Sequence, residues 1–192
     1  VDHICVVIGP GMESVATVAA PHATAVQHDR LGTAHAALAA KSEIPNDIND
    51  LLILNGDNPL IPQACIESLL AVRRSDDAPA VAVLGFRAVE PAAYGRLLTD
   101  SHGRLERIVE AKDATPSELE TDLCNAGMMA LDGATALEML AQIDNDNAAG
   151  EYYLPDVVAV ARGNDRVCAV VEGIEQDLMG INSRAELAEA EA

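Results

Sequence analysis

The chain reads as an α/β protein, a mixed and mostly parallel open sheet with helices on both faces and a small inserted hairpin. Three observations predict this. Short continuous apolar runs alternate with helix-length segments at spacings that suit parallel crossovers. The apolar palette is narrow: 49% of the 192 residues are hydrophobic, but there is one Phe and no Trp. The interior must therefore be built from Ala, Val, Leu and Ile, which suits strands buried on both faces. Between Tyr94 and Asp113 the texture changes to short polar and apolar stretches around Ser101-His102-Gly103, the pattern of a hairpin laid over one end of a sheet.

Element by element, His3 to Ile8 is a β-branched run that ends at Gly9-Pro10-Gly11, a buried strand followed by a turn. A short helix starts near Glu13, a brief strand covers Ala23 to Gln27, and a helix runs from Gly32 to about Lys41. Leu51 to Leu54 is the clearest strand and ends in Asn55-Gly56-Asp57. Pro62 to Arg74 reads as a helix and Ala80 to Phe86 as a strand. After the hairpin come a strand from Asn125 to Leu131, helices over Ala134 to Ile143 and Leu154 to Arg162, a strand over Val167 to Val171, and an acidic helix from Ser183. No internal repeat is visible. The head starts directly in a strand and the tail stops inside a helical pattern, so residues 1–192 read as one partial domain cut at both ends.

A chain of this length suits a single domain that buries roughly 70% of its unfolded surface. Twelve Lys and Arg against 31 Asp and Glu give a formal net charge of -19. Such a surface repels a phosphate backbone, which argues against nucleic acid as a partner. Any phosphate-handling role would need local positive charge from a metal or a few placed basic groups. No apolar run is long enough to span a bilayer, and the opening residues do not read as a signal peptide, so a protein without one is the expectation. Cys5, Cys65, Cys124 and Cys168 are far apart and form no CxxC pair, which fits reduced thiols in a cytoplasm, used as small apolar groups.

Ligands of open α/β sheets collect beyond the carboxyl ends of the strands. Asp57 follows the clearest strand, with Gly56 clearing space beside it, so it is a candidate metal ligand; a turn or cap role is the plain alternative. Gly32-Thr33 at a helix start offers unpaired N–H groups and close approach to a ligand, or merely a cap. Gly9-Pro10-Gly11 imitates a dinucleotide loop but has Ser14 where the third glycine belongs and is read as a turn. His3, His22, His28, His35 and His102 show no zinc-ligand spacing and are read as surface or packing residues.

Seven segments occur in one order: QHDRLGTAHA (residues 27–36), NGDNPL (55–60), Tyr94-Gly95-Arg96, IVEAKDA (108–114), Asn125-Ala126-Gly127, GEYYLPD (150–156) and GINSR (180–184). Together they resemble the bacterial family of bifunctional N-acetylglucosamine-1-phosphate uridyltransferases and glucosamine-1-phosphate acetyltransferases, over nearly the whole chain. The resemblance implies a Rossmann-like nucleotide-diphospho-sugar transferase fold. It further implies a nucleotidyltransferase that makes UDP-N-acetylglucosamine and pyrophosphate from UTP and N-acetylglucosamine 1-phosphate, in the cytoplasm, for peptidoglycan and lipopolysaccharide precursors.

By the same resemblance, Asp57 and Asn182 bind Mg2+ and are the catalytic pair, Gln27, Gly32 and Thr33 read the uracil, and Asn55 and Gly56 lie against the nucleoside. Gly95, Glu110 and Asn125 hold the sugar, with Tyr94, Arg96, Glu151 and Tyr153 supporting the pocket. The sequence departs from the family in three places. The opening strand and the glycine-rich loop bearing Arg and Lys, which clamps the triphosphate, have no counterpart. The hexapeptide repeats that make the acetyltransferase and the homotrimer are missing after Ala192. Asp177-Leu178-Met179 precedes Gly180 where an acidic residue usually adjoins the glycine. Two alternatives stand beside this reading: a different sugar-1-phosphate nucleotidyltransferase, and a non-catalytic UDP-sugar-binding or interaction module.

Overall fold

The computed structural model describes residues 1–178, 180–181 and 183–191. In chain order the elements are β1 (Cys5–Ile8), α1 (Glu13–Ala19), β2 (Ala23–Val26), α2 (Thr33–Ala39), β3 (Asp50–Ile53), α3 (Gln63–Arg73), β4 (Val81–Arg87), β5 (Arg96–Thr99), β6 (Leu105–Val109), α4 (Pro116–Leu119), β7 (Leu123–Asp132), α5 (Ala136–Ala141), α6 (Val157–Gly163), β8 (Cys168–Gly173), α7 (Glu175–Leu178) and α8 (Arg184–Ala190). Every strand and every longer helix expected from the apolar pattern is present within a few residues. The helix expected over Leu154 to Arg162 is divided: Leu154–Asp156 is a 3-10 turn and α6 begins at Val157. Pro155 has no N–H to give that turn, and the Leu154 N–H donates to Thr33 Oγ1 at 2.9 Å.

The strands form a two-stranded parallel sheet, β1-β2, and a six-stranded mixed sheet in the order β6-β5-β7-β4-β8, with β3 also paired to β7. β3, β4, β5 and β8 all run one way, as a mostly parallel sheet requires. However, β7 runs against them between β3 and β4, so most hydrogen-bonded neighbours are antiparallel. Apolar periodicity carries no information on strand direction, and the sequence reading could not see this.

Helices cover both faces, and alternation along β4 shows how. Val81 and Val83 face one core, closed by α2, α5, α6 and the β5–β6 hairpin. Ala82, Leu84 and Phe86 face the other, with Leu69 of α3 and Leu178 of α7. Phe86, Leu69 and Leu84 are fully buried, and each such side chain stabilises by roughly 1.5–3 kcal/mol relative to exposure. The hairpin folds back across the sheet at Gly85, where β4 and β7 slip register. A Cβ at Gly85 would run into Leu97 Cδ1 and lie 2.9 Å from the Cys124 carbonyl.

At the far end of the sheet an ion-pair clasp ties α3 to the strands. Arg73 Nη2 lies 2.9 Å from Asp132 Oδ1, and Arg74 Nη2 lies 2.7 Å from Asp50 Oδ2. Arg73 Nε is 3.2 Å from Asp50 Oδ1 but poorly directed, so that contact is ionic rather than a hydrogen bond. The adjoining cavity of about 370 Å³ is lined by these same residues and lies at the start of β3 and the end of β7.

Candidate active site at one end of the sheet

The strand registers bring four of the predicted site residues, Asn55, Gly95, Glu110 and Asn125, to one end of the six-stranded sheet. Ile53 lies opposite Met129, so residues following β3 face residues 125–127 in the first half of β7. Arg96 at the start of β5 pairs with Cys124 and with Val109 at the end of β6. Phe86 near the end of β4 pairs with Gly173 at the end of β8, from which α7 leads on. Four strands thus deliver loops to one end, where open α/β sheets bind ligands.

Asn55, Gly95, Glu110 and Asn125 come together there. Gly127 has φ +75°, and a Cβ on it would overlap Asn55 Nδ2, so the asparagine lies directly against this turn of β7. Asn125 Oδ1 accepts from the Gly127 N–H at 2.9 Å, and the Asn125 N–H donates to the Gly95 carbonyl at 2.8 Å. A Cβ at Gly95 would lie 3.4 Å from Glu110 Oε1. Burial, chiefly, pushes the half-buried Glu110 carboxyl above its ordinary value; Lys112 pulls it down and Asp113 and Asp156 push it up. Asp156 is also raised, by burial first and then by Asp144 and Asp113.

The supporting residues act on backbone and ring packing. Arg96 is 3% exposed, and its guanidinium donates to the carbonyls of Pro91, Ala92 and Tyr94, which fixes the turn before β5. Tyr94 packs edge-on to Phe86 with ring centres 5.0 Å apart. Lys112 Nζ sits 4.7 Å from the centre of the Tyr153 ring. The Lys112 ammonium is held charged chiefly by the Tyr153 hydroxyl, its polar neighbour in this packing. The Glu151 backbone is held by Asn147, which donates to its carbonyl and accepts from its N–H.

Asp57 and Gly56 are exposed in the loop after β3, and no described side chain donates to the Asp57 carboxylate. Asn182 lies outside the described residues. The Ile181 N–H donates to the Asp57 carbonyl at 2.8 Å, and Asn58 Nδ2 donates to the Leu178 carbonyl at 3.0 Å. Asn58 is 8% exposed and was not foreseen as a site residue; nothing in its spacing distinguishes it from a turn asparagine. No group of three or more His, Cys, Asp or Glu able to hold a metal occurs among the described residues. An open carboxylate with few protein ligands nevertheless fits a hard cation such as magnesium, which keeps several waters and takes substrate oxygens.

Gln27, Gly32 and Thr33 form a second group at the end of β2 and the start of α2. Gly32 is at φ +114°, and a Cβ there would lie 2.5 Å from the Tyr152 carbonyl oxygen. The segments interlock: the Tyr152 N–H donates to Leu31 O at 2.7 Å, the Ala34 N–H to Tyr152 O at 2.9 Å, and Thr33 Oγ1 accepts from Leu154. No described group accepts from the Gly32 N–H. Gln27 Nε2 contacts the Gly32 carbonyl and His35 Nδ1, both at 3.0 Å. His35 is therefore more than the surface or packing residue that its isolation in the sequence suggested. Of the thiols, Cys124 and Cys168 are buried and Cys5 and Cys65 half-buried, all four free. Burial drives the Cys168 thiol up to about 12, leaving it unreactive.

A mixed sheet with loops gathered at one strand end, glycine-permitted close approaches and an open carboxylate defines an α/β protein with a candidate ligand site beyond its strand ends. The nucleotidyl transferase family model matches residues 13–173, and the chain belongs to that family. It is similar to the Bifunctional protein GlmU of Paramagnetospirillum magneticum, 49% identical over all of this chain and 42% of that protein. It is also similar to the Bifunctional protein GlmU of Rhodospirillum rubrum, 53% identical over 97% of this chain and 42% of that protein. The chain thus spans about two fifths of the length of these relatives. A solved CMP:2-keto-3-deoxy-manno-octonic acid synthetase complexed with CTP shares the fold, with a TM-score of 0.68 at 16% identity over 99% of this chain and 79% of that one. No helix among the described residues is long and apolar enough to cross a membrane.

Proposed function

We propose that this chain is the nucleotidyltransferase part of an enzyme that forms UDP-N-acetylglucosamine and pyrophosphate from UTP and N-acetylglucosamine 1-phosphate, in the cytoplasm, for cell-wall precursors. The observation that carries the reading is the Ile181-to-Asp57 hydrogen bond at the sheet end that also holds Asn55, Gly95, Glu110 and Asn125. It joins the GINSR segment to the NGD loop, which lie 124 positions apart, and the comparisons with GlmU proteins point the same way.

In this reading Asp57 and Asn182 would hold magnesium, which when bound offsets the negative charge that builds on the phosphate oxygens during transfer. The chain's own residues position the reactants. Gln27, Gly32 and Thr33 bind the base, and Asn55 and Gly56 face the nucleoside. Glu110 accepts hydrogen bonds from sugar hydroxyls; a half-buried carboxylate discriminates strongly against a ligand that lacks the donor. Asn125 and the Gly95 backbone align the sugar. With both anions held in line, the sugar-phosphate oxygen attacks the α-phosphorus of UTP and pyrophosphate leaves, without a covalent intermediate.

The test measures pyrophosphate released from the two substrates by the whole protein with magnesium. Asp57→Asn should lower turnover on the order of 100-fold or more, and a variant with unchanged turnover would remove Asp57 from the site. Tight binding of UDP-N-acetylglucosamine without any turnover would instead favour a binding module, and a substrate panel would reveal a different sugar or base.

A further inference from the structure

Gln27 and His35 meet across the start of α2, and the chemistry of the groups around them fixes every role. A peptide oxygen only accepts, so the Gln27 atom 3.0 Å from the Gly32 carbonyl is the amide nitrogen. That nitrogen only donates, so His35 Nδ1, also 3.0 Å away, carries no proton and the ring is the Nε2–H tautomer. Both amide hydrogens are then committed inside the protein. Oε1 is the one polar atom of Gln27 left for a ligand.

The arrangement is held from two sides. The His35 ring lies 6.3 Å from the Tyr152 ring, centre to centre and tilted by 31°. The Tyr152 backbone bonds Leu31 and Ala34 on either side of Gly32. Gly32 cannot swing away without breaking that clasp, and Gln27 cannot present its N–H groups without losing one of its two acceptors.

We propose that His35 is a positioning residue that makes Gln27 a pure acceptor and so sets the base preference of the site. The proposal rests on the uridyl reading above. Uracil carries a donor at ring N3, which an acceptor at Gln27 Oε1 satisfies. Cytosine has a bare lone pair at the same ring position, and Oε1 opposing it leaves both acceptors unpaired and repelling. Were the His35 acceptor removed, one Gln27 N–H would become available to meet cytosine N3, and discrimination would fall.

The experiment titrates the whole protein with UTP and with CTP, in magnesium, by calorimetry. Wild type should prefer UTP; if it does not, the uridyl reading itself is wrong. His35→Leu removes the acceptor at similar volume and should lower the UTP-over-CTP preference roughly tenfold, the value of one neutral hydrogen bond. His35→Asn places Oδ1 at the reach of Nδ1 and should restore the preference. A selective wild type whose preference survives in His35→Leu, or is lost equally in both variants, overturns the proposal. Nitrogen NMR of the wild-type histidine side chains is an independent reading that needs no variant: a protonated His35 Nδ1 at neutral pH overturns it, and a bare Nδ1 with a protonated Nε2 supports it.

Discussion

The Ile181 N–H donates to the Asp57 carbonyl at 2.8 Å, and the side chain of the following loop residue, Asn58, reaches the Leu178 carbonyl at 3.0 Å. These two bonds bracket the junction between α7 and the GINSR segment. The peptide of Asp57 is thereby fixed from its carbonyl side while its carboxylate stays open, so a candidate ligand is oriented without being neutralised.

Asn58→Ala should loosen this junction. It strands the buried Leu178 carbonyl, a loss of roughly 1–3 kcal/mol, read as a lower midpoint of chemical denaturation. If Asp57 and the segment after Gly180 share a cation, the variant should also need more magnesium for half-maximal turnover. A stability loss with unchanged magnesium dependence would leave Asn58 as a packing residue only.

Gly32→Ala tests the interlock of the base-side group. The backbone there is left-handed, and the new Cβ would fall 2.5 Å from the Tyr152 carbonyl oxygen, a backbone atom that cannot move aside cheaply. The expected loss is about 2–4 kcal/mol in urea unfolding, together with weaker uridine nucleotide binding. A variant with wild-type stability would show that the segment around Tyr152 yields, contrary to its bonds with Leu31 and Ala34.

Much of this was legible in the sequence, for physical reasons that also mark the limits. Val81 to Phe86 is apolar at every position, so a strand buried on both faces follows directly, and both cores are found on it. Glycine at 32 was read as room for a ligand, whereas the atoms that approach it in the structure are those of the Tyr152 backbone. The antiparallel course of β7 was not legible, because Asn125 to Leu131 reads the same in either direction. The partnership of Gln27 with His35 depends on a chain reversal that no periodicity encodes, and Asn58 looks like any asparagine in a turn. The α7 turn, Glu175–Leu178, is too short to carry a helical apolar period.

Gly85→Ala probes the hairpin. Gly85 sits at the β4 register slip, where Leu97 of β5 closes over it and the Cys124 carbonyl lies 2.9 Å from the position of a Cβ. Forcing a methyl group into this contact should destabilise by about 1–3 kcal/mol. Since β5 begins next to Gly95, the affinity for N-acetylglucosamine 1-phosphate should fall as well, while nucleotide affinity is little changed. Equal loss of both affinities would mean that the whole sheet end shifts rather than the hairpin alone.

Glu110→Gln should separate function from stability. Burial, more than any neighbouring charge, raises the Glu110 carboxyl above its ordinary value of 4.5, so folding disfavours its charged form. Its folded value exceeds its unfolded one; wild type therefore loses stability relative to the glutamine variant as pH rises from the ordinary carboxylate value through the folded one. The variant should melt higher than wild type at pH 7, and the gap should close as pH falls through about 4.5, where both states of the wild-type residue are protonated. Asp156, also raised, titrates in the same direction, but it is present in both proteins and its contribution largely drops out of the difference. Calorimetry with UDP-N-acetylglucosamine should show the opposite ranking, with the variant weaker by roughly 10- to 100-fold, since charge-assisted bonds to sugar hydroxyls are lost. A stabilised variant that binds as tightly as wild type would mean that the carboxylate is buried for some reason other than the sugar.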